Sequence, residues 1–250
     1  MAQLDANGTR IHFEVHGAGS RTLVFAHGKG GNHLSWWQQV PSFRDKYTCI
    51  TFDHRSYGLT PNSDDGRNQD AYVDDLVAVL DHLGKSKVYL VGQSMGGRTC
   101  LDFAIRFPER VEAMVLASTI AGVVDPALQD LLKQHANPPE ELLDRVLSAR
   151  FRSSSPMLTQ LFASIEALNH VGKKPFPLLI KGASKDQVQK CLVKTLLLVG
   201  DEDLVAPPPA VAWLAEALPN ATYEVIKKTG HSIYYERPEV FNQKIDTFFN

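Results

Sequence analysis

The chain has 250 residues, 44% hydrophobic and 22% charged, with a formal net charge of −2. These values suit a globular protein that buries a large core without staples, and the near-neutral balance gives no broad pull towards nucleic acid or an anionic membrane. The three cysteines, Cys49, Cys100 and Cys191, are odd in number and far apart, which excludes a disulfide framework and fits reduced, buried thiols in a cytoplasmic protein.

The first residues, Met1-Ala2-Gln3-Leu4-Asp5, show no basic stretch leading into an apolar run, so no secretory signal is expected. Alternation at Ile11, Phe13 and Val15 predicts a half-buried strand at a sheet edge. Continuous apolar runs then recur at Leu23–Ala26, Cys49–Phe52, Val88–Val91, Ala113–Ala117, Thr195–Val199 and Thr222–Ile226. Such runs suit strands covered on both faces, as in a parallel sheet. Between them, Val73, Leu76, Val77, Leu80 and Leu83 trace a helix face that stops at Gly84, and Leu101, Ala104 and Ile105 trace another that ends before Pro108. Val211, Leu214 and Leu218 mark a third helix. Val240, Phe241, Ile245, Phe248 and Phe249 mark the last. The alternation predicts an α/β fold with a mostly parallel sheet.

Residues 120–190 break this rhythm. They contain no good strand and several prolines, with helical pieces around Leu142–Leu147 and Leu158–Leu168. A helical insertion that enters just after a strand end is expected to be a lid, because ligands in open α/β sheets bind outside the carboxyl ends of the strands. The expected organisation is a core of residues 1–119 and 191–250 with a lid at 120–190, together one structural domain.

The chemistry centres on Gly92-Gln93-Ser94-Met95-Gly96-Gly97, between an apolar strand and a helix. A serine flanked by glycines at such a turn becomes an exposed nucleophile, since strand and helix can approach closely around it. A serine hydroxyl needs a base, and the base needs an acid to orient it. His231, in Thr229-Gly230-His231-Ser232 after the last strand, is the expected base. Asp203 is the expected acid, because the turn that begins at Gly200 aims its third residue back over the sheet; Asp201 and Glu202 compete for that role. The developing oxyanion needs backbone N–H donors. Met95, at the start of a helix, supplies one, and Lys29, in the glycine-rich loop His27-Gly28-Lys29-Gly30-Gly31-Asn32, supplies the other. His27 reads as a loop histidine. The Lys29 side chain is expected to face solvent, with contact to an anionic substrate as the alternative.

These motifs, together with Phe52-Asp53-His54-Arg55-Ser56-Tyr57-Gly58 and Gly200-Asp201-Glu202-Asp203, resemble the α/β-hydrolase superfamily, in its lid-bearing serine esterase/lactonase-like branch. They span nearly the whole chain. The family often carries Gly where Ser56 stands, Ser where Thr60 stands and Pro where Lys194 stands. The resemblance implies the α/β-hydrolase fold with its lid after the sixth strand, and a Ser94–His231–Asp203 triad that cleaves a carboxylic ester or lactone. It implies a small to medium apolar substrate, lined by Gly28, Trp36, Trp37, Phe151, Met157, Phe162 and Ile233. Apart from Gly28, these residues would serve a plain core equally well. Carbon–carbon bond hydrolases and cofactor-free perhydrolases and oxygenases share the fold, and some ligand sensors resemble it. No cofactor is expected, and with no Cys/His spacing of the zinc type, no metal. The expected partner is a small molecule, with neither nucleic acid nor membrane.

Overall fold

In the computed structural model, which describes residues 2–62, 68–170 and 182–250, the apolar runs form one eight-stranded sheet ordered β1-β2-β4-β3-β5-β6-β7-β8. The strands are β1 Ala2–Ala6, β2 Thr9–His16, β3 Arg21–Ala26, β4 Tyr47–Phe52, β5 Val88–Gln93, β6 Val111–Ala117, β7 Thr195–Gly200 and β8 Ala221–Ile226. Pairing is antiparallel from β1 through β2 to β4 and parallel from β4 to β8. One expectation is corrected: the Ile11–Val15 strand is not at the edge. The edge is β1, which alternates only between partly buried and exposed residues and so carries no strong apolar signal.

The helices are α1 Val40–Phe43, α2 Tyr72–His82, α3 Met95–Arg106, α4 Pro126–His135, α5 Leu142–Val146, α6 Ala149–Ser154, α7 Pro156–Glu166, α8 Lys185–Gln189, α9 Pro208–Ala217, α10 Ile233–Glu236 and α11 Pro238–Phe249. Those from α4 to α8 occupy the stretch between β6 and β7. Pro126 and Pro156 each stand at the first position of a helix, where the missing N–H costs nothing.

Two apolar layers explain the unbroken strand runs. On β3, Val24 and Ala26 join the layer that includes Leu76 and Val79 of α2 and Leu101 and Phe103 of α3. Leu23 and Phe25 join the opposite layer, with Phe43 of α1 and Phe241 and Phe249 of α11. Each Val, Leu or Phe side chain among these, fully buried, contributes about 1.5–3 kcal/mol. The two layers also place the site. After β3 the chain turns to the α1 layer, and after β5 it turns to the α3 layer. The two loops therefore leave adjacent strands towards opposite faces, which opens a crevice beyond the strand ends.

Ser56 adopts φ +72°, in the left-handed region that favours glycine. Its amide donates to Thr60 O and its carbonyl accepts from the amide of His170, so the turn is held in place. Ser56→Gly is expected to raise stability by about 0.5–1 kcal/mol, the relief of left-handed strain less the added freedom of the unfolded glycine. Urea unfolding measures it; a fall in stability would show that the serine side chain contributes more than the strain costs.

Candidate active site

Ser94 ends the turn from β5 into α3 with φ 51° and ψ −115°. Its amide donates to Ala117 O, and its carbonyl accepts from the amide of Gly97 and from Thr119 Oγ1. These bonds hold a backbone conformation that a serine would otherwise avoid. The turn also demands glycine at position 96: a Cβ there would lie 2.0 Å from Ala26 O.

The Ser94 hydroxyl lies 2.9 Å from His231 Nε2, and His231 Nδ1 lies 2.9 Å from both carboxylate oxygens of Asp203. Asp203 accepts only hydrogen bonds here, so Nδ1 carries the proton and Nε2 is left to accept from the serine. Asp203 and His231 are buried and Ser94 is partly buried. Asp203 Oδ1 also accepts from the amides of Val205 and Ala206, each at 2.9 Å, which fixes the carboxylate. The other two acids of this turn are engaged elsewhere. Asp201 accepts from the Thr229 amide, and Glu202 pairs with Arg150.

His231 comes from the loop after β8, three strands from β5, and has to be held in reach. Gln93 Nε2 donates to His231 O at 3.1 Å. Glu236 holds the same loop from the other side. Its carboxylate accepts from the Gly230 amide at 3.3 Å, from the Ser148 amide at 2.8 Å and from Ser148 Oγ at 2.6 Å. Ser148 caps α6, so one buried carboxylate joins the His231 loop to the 120–190 stretch.

The loop after β3 lies against the nucleophile. A Cβ on Gly28 would stand 3.0 Å from Ser94 Cβ. The Gly31 amide donates to Gly28 O, so Lys29 and Gly30 sit in a tight turn. The Lys29 side chain is exposed, and its pKa lies below the ordinary lysine value through partial burial and the nearby Arg145 charge. Behind it, His27 Nδ1 donates to Gly28 O, while His27 Nε2 accepts from the His54 amide and faces His54 Nδ1 at 3.0 Å. His54 Nε2 meets Thr99 Oγ1 at 2.9 Å. Burial lowers the His27 pKa to about 4 and the His54 pKa well below the ordinary histidine value. Both rings are neutral struts between the β3 loop, the turn after β4 and α3. Asn32 caps the 3-10 turn His33–Trp36, and its Nδ2 donates to Ile165 O of α7 at 2.8 Å.

The expected lining residues separate into groups. Trp37, Phe151 and Phe162 gather around Tyr235, with ring centroids 6.3, 5.9 and 5.1 Å away, and Tyr235 OH donates to Leu158 O. Trp36 is fully buried between Phe25 and Tyr234, and Ile233 is fully buried in the same layer. Met157 stands apart, 85% exposed. All three cysteines are free and buried, and burial raises their pKa values. Among the described residues no helix is long and apolar enough to cross a membrane. Sequence reasoning missed Gln93, His54, Ser148 and Glu236. Gln93 and His54 lie inside the motifs quoted above without a role assigned to them, and the partner of each of the four is distant in sequence.

The alpha/beta hydrolase fold pattern matches residues 21–238, and the chain belongs to that family. It is 26% identical to the 3-oxoadipate enol-lactonase 2 of Acinetobacter baylyi, over 97% of this chain and 94% of that protein. It is 28% identical to a 2-hydroxy-6-oxononadienedioate/2-hydroxy-6-oxononatrienedioate hydrolase of Paraburkholderia phymatum, over 96% of this chain and 90% of that one. Among solved structures, a thermophilic esterase from Thermogutta terrifontis shares the fold, with a TM-score of 0.84 at 23% identity over 99% of this chain and 98% of that one.

Burial raises the Glu236 pKa above the ordinary glutamate value, outweighing the hydrogen bonds from Ser148 and Gly230. The folded chain therefore holds this proton more tightly than the unfolded chain. The stability this group contributes is greatest below the unfolded pKa and is lost as the pH rises through the folded one. Relative to Glu236→Gln, the wild type is expected to lose stability between about pH 4 and about pH 7, measured by urea unfolding at both. A gap that stays constant or moves the other way contradicts this. Glu236→Ala leaves the Ser148 and Gly230 amides without their acceptor, at a cost of about 1–3 kcal/mol.

Proposed function

We propose that this protein is a serine hydrolase that cleaves a carboxylic ester or lactone of a small to medium apolar molecule through an acyl-enzyme on Ser94. The observation that carries the reading is the unbroken chain from Ser94 Oγ through His231 to Asp203, each link 2.9 Å. His231 Nε2 takes the serine proton as Oγ attacks the carbonyl carbon. Asp203 keeps the ring in the productive tautomer and stabilises its charged form. The tetrahedral oxyanion is held by the amides of Met95, in the first turn of α3, and Lys29, in the turn beside Gly28. A single donor of this kind contributes about 3 kcal/mol at the transition state. His231 then gives its proton to the leaving oxygen, the acyl group stays on Ser94, and water activated by His231 releases it.

The helices between β6 and β7 act as the lid in this reading. They are fastened to the site through Ser148–Glu236 and Asn32–Ile165, so substrate is enclosed between them and the strand ends. Trp37, Phe151 and Phe162 supply apolar surface on that side. The enol-lactonase relative supports a lactone or ester as substrate. The relative named for 2-hydroxy-6-oxononadienedioate favours a second reading, in which the same three residues cleave a carbon–carbon bond.

A panel of aryl esters, lactones and vinylogous diketones ranks the two readings. With the preferred ester or lactone, Ser94→Ala is expected to lower kcat on the order of 10⁴–10⁶-fold and Asp203→Asn about 10⁴-fold, with both variants folded by circular dichroism. Full activity in Ser94→Ala would remove the acyl-enzyme mechanism.

A further inference from the structure

On the other side of the β3 loop, three segments bring His12, His33 and Asp53 together, and all three side chains are buried. One donor atom from each lies within 4.8 Å of the other two. His12 belongs to β2, His33 opens the 3-10 turn after the glycine-rich loop, and Asp53 follows β4. The rings of His12 and His33 meet edge to face, with centroids 4.4 Å apart. Asp53 accepts from the His33 amide at 2.6 Å, from His33 Nδ1 at 2.9 Å and from the Leu59 amide at 2.8 Å.

His12 is the anomaly. It is fully buried, and neither ring nitrogen has a hydrogen-bond partner among the described residues. A buried polar group left unpaired costs about 1–3 kcal/mol, and such groups in folded proteins point to a water or an ion. A neutral imidazole carries a lone pair on one nitrogen, and the His33 and Asp53 donor atoms lie within 4.8 Å of a His12 nitrogen.

We propose that His12, His33 and Asp53 form a binding site for a divalent transition-metal ion of the zinc type. Two imidazole nitrogens and a carboxylate oxygen are a donor set that zinc and cobalt accept. With bonds of about 2.0–2.1 Å, tetrahedral donors stand about 3.4 Å apart; His33 Nδ1 and Asp53 already lie 2.9 Å apart, so ligation by both exchanges their hydrogen bond for bonds to the ion and displaces the Nδ1 proton. Glu14 Oε1 lies 4.0 Å from His12 Nε2. It supplies either a fourth oxygen or the carboxylate that orients the ligating ring. The entry path is on the same strand face: Glu14 and His16 are only partly buried, and Glu14 Oε2 lies 3.2 Å from His16 Nε2. The bound ion would fasten β2, the turn after β4 and the segment after the Lys29 loop to one another. The ligands stand 21 and 20 positions apart (12 to 33 to 53), so no local spacing announced the site.

The test uses the full chain, dialysed against a chelator and titrated with zinc chloride and with cobalt chloride. The expected result is one ion per chain with a Kd below about 10 μM, visible absorption bands from the cobalt form, and a zinc-dependent rise of several degrees in Tm. His12→Gln is expected to weaken binding at least 100-fold and Glu14→Gln about 10-fold, while Ser94→Ala leaves it unchanged. X-ray absorption on the zinc-loaded wild type needs no variant and is expected to show two imidazole ligands. Failure to bind either ion at about 1 mM, binding that survives in folded His12→Gln, or a zinc shell without two imidazoles would each overturn the proposal.

Discussion

The backbone at Ser94 is held at φ 51° and ψ −115°, and the arrangement of the site depends on that turn. It is possible only because α3 comes down onto the end of β3, so close that position 96 has no room for a side chain beside Ala26 O. The same packing leaves a Cβ on Gly28 only 3.0 Å from Ser94 Cβ, so the loop after β3 and the nucleophile turn are in contact. The bonds from Ala117, Gly97 and Thr119 keep the turn from relaxing.

The second constraint is distance. His231 leaves the β8 end of the parallel sheet and has to reach the middle of it. The loop is clamped by a hydrogen bond from Gln93 to His231 O and by one from the Gly230 amide to Glu236. Because Glu236 also accepts from the amide and the hydroxyl of Ser148, the orientation of the histidine is tied to the helices between β6 and β7. Asn32 ties the other loop of the site to α7 in the same way. The helical stretch and the two loops around Ser94 therefore form one hydrogen-bonded unit, and displacing those helices breaks bonds to both loops.

Much of this was legible in the sequence, for a physical reason. Strands covered on both faces must be apolar throughout, so β3 to β7 announce themselves as runs, and the alternation of layers along β3 and β6 shows why. β1 was missed because an edge strand with one partly buried face has no such requirement. Ser94, His231 and Asp203 were legible because each sits in a short turn directly after a strand. Glu236 and His54 were not. Their partners lie 88 and 27 positions away, and a buried carboxylate or neutral histidine looks in sequence like any solvent-facing one. The aromatic residues expected to line the substrate space carry a different lesson. The resemblance implies a lining that includes Trp36, Trp37, Phe151 and Phe162; packing shows that the last three converge on Tyr235 and that Trp36 belongs to the central core.

In the proposed mechanism this geometry turns one serine hydroxyl, that of Ser94, into a nucleophile. The most direct measurement is reaction of the native protein with an activated organophosphonate, followed by mass mapping of the peptides. One adduct per chain is expected, on Ser94, formed rapidly by the native protein and not by the urea-unfolded chain. No adduct, or an adduct on another residue with Ser94 unmodified, would contradict it.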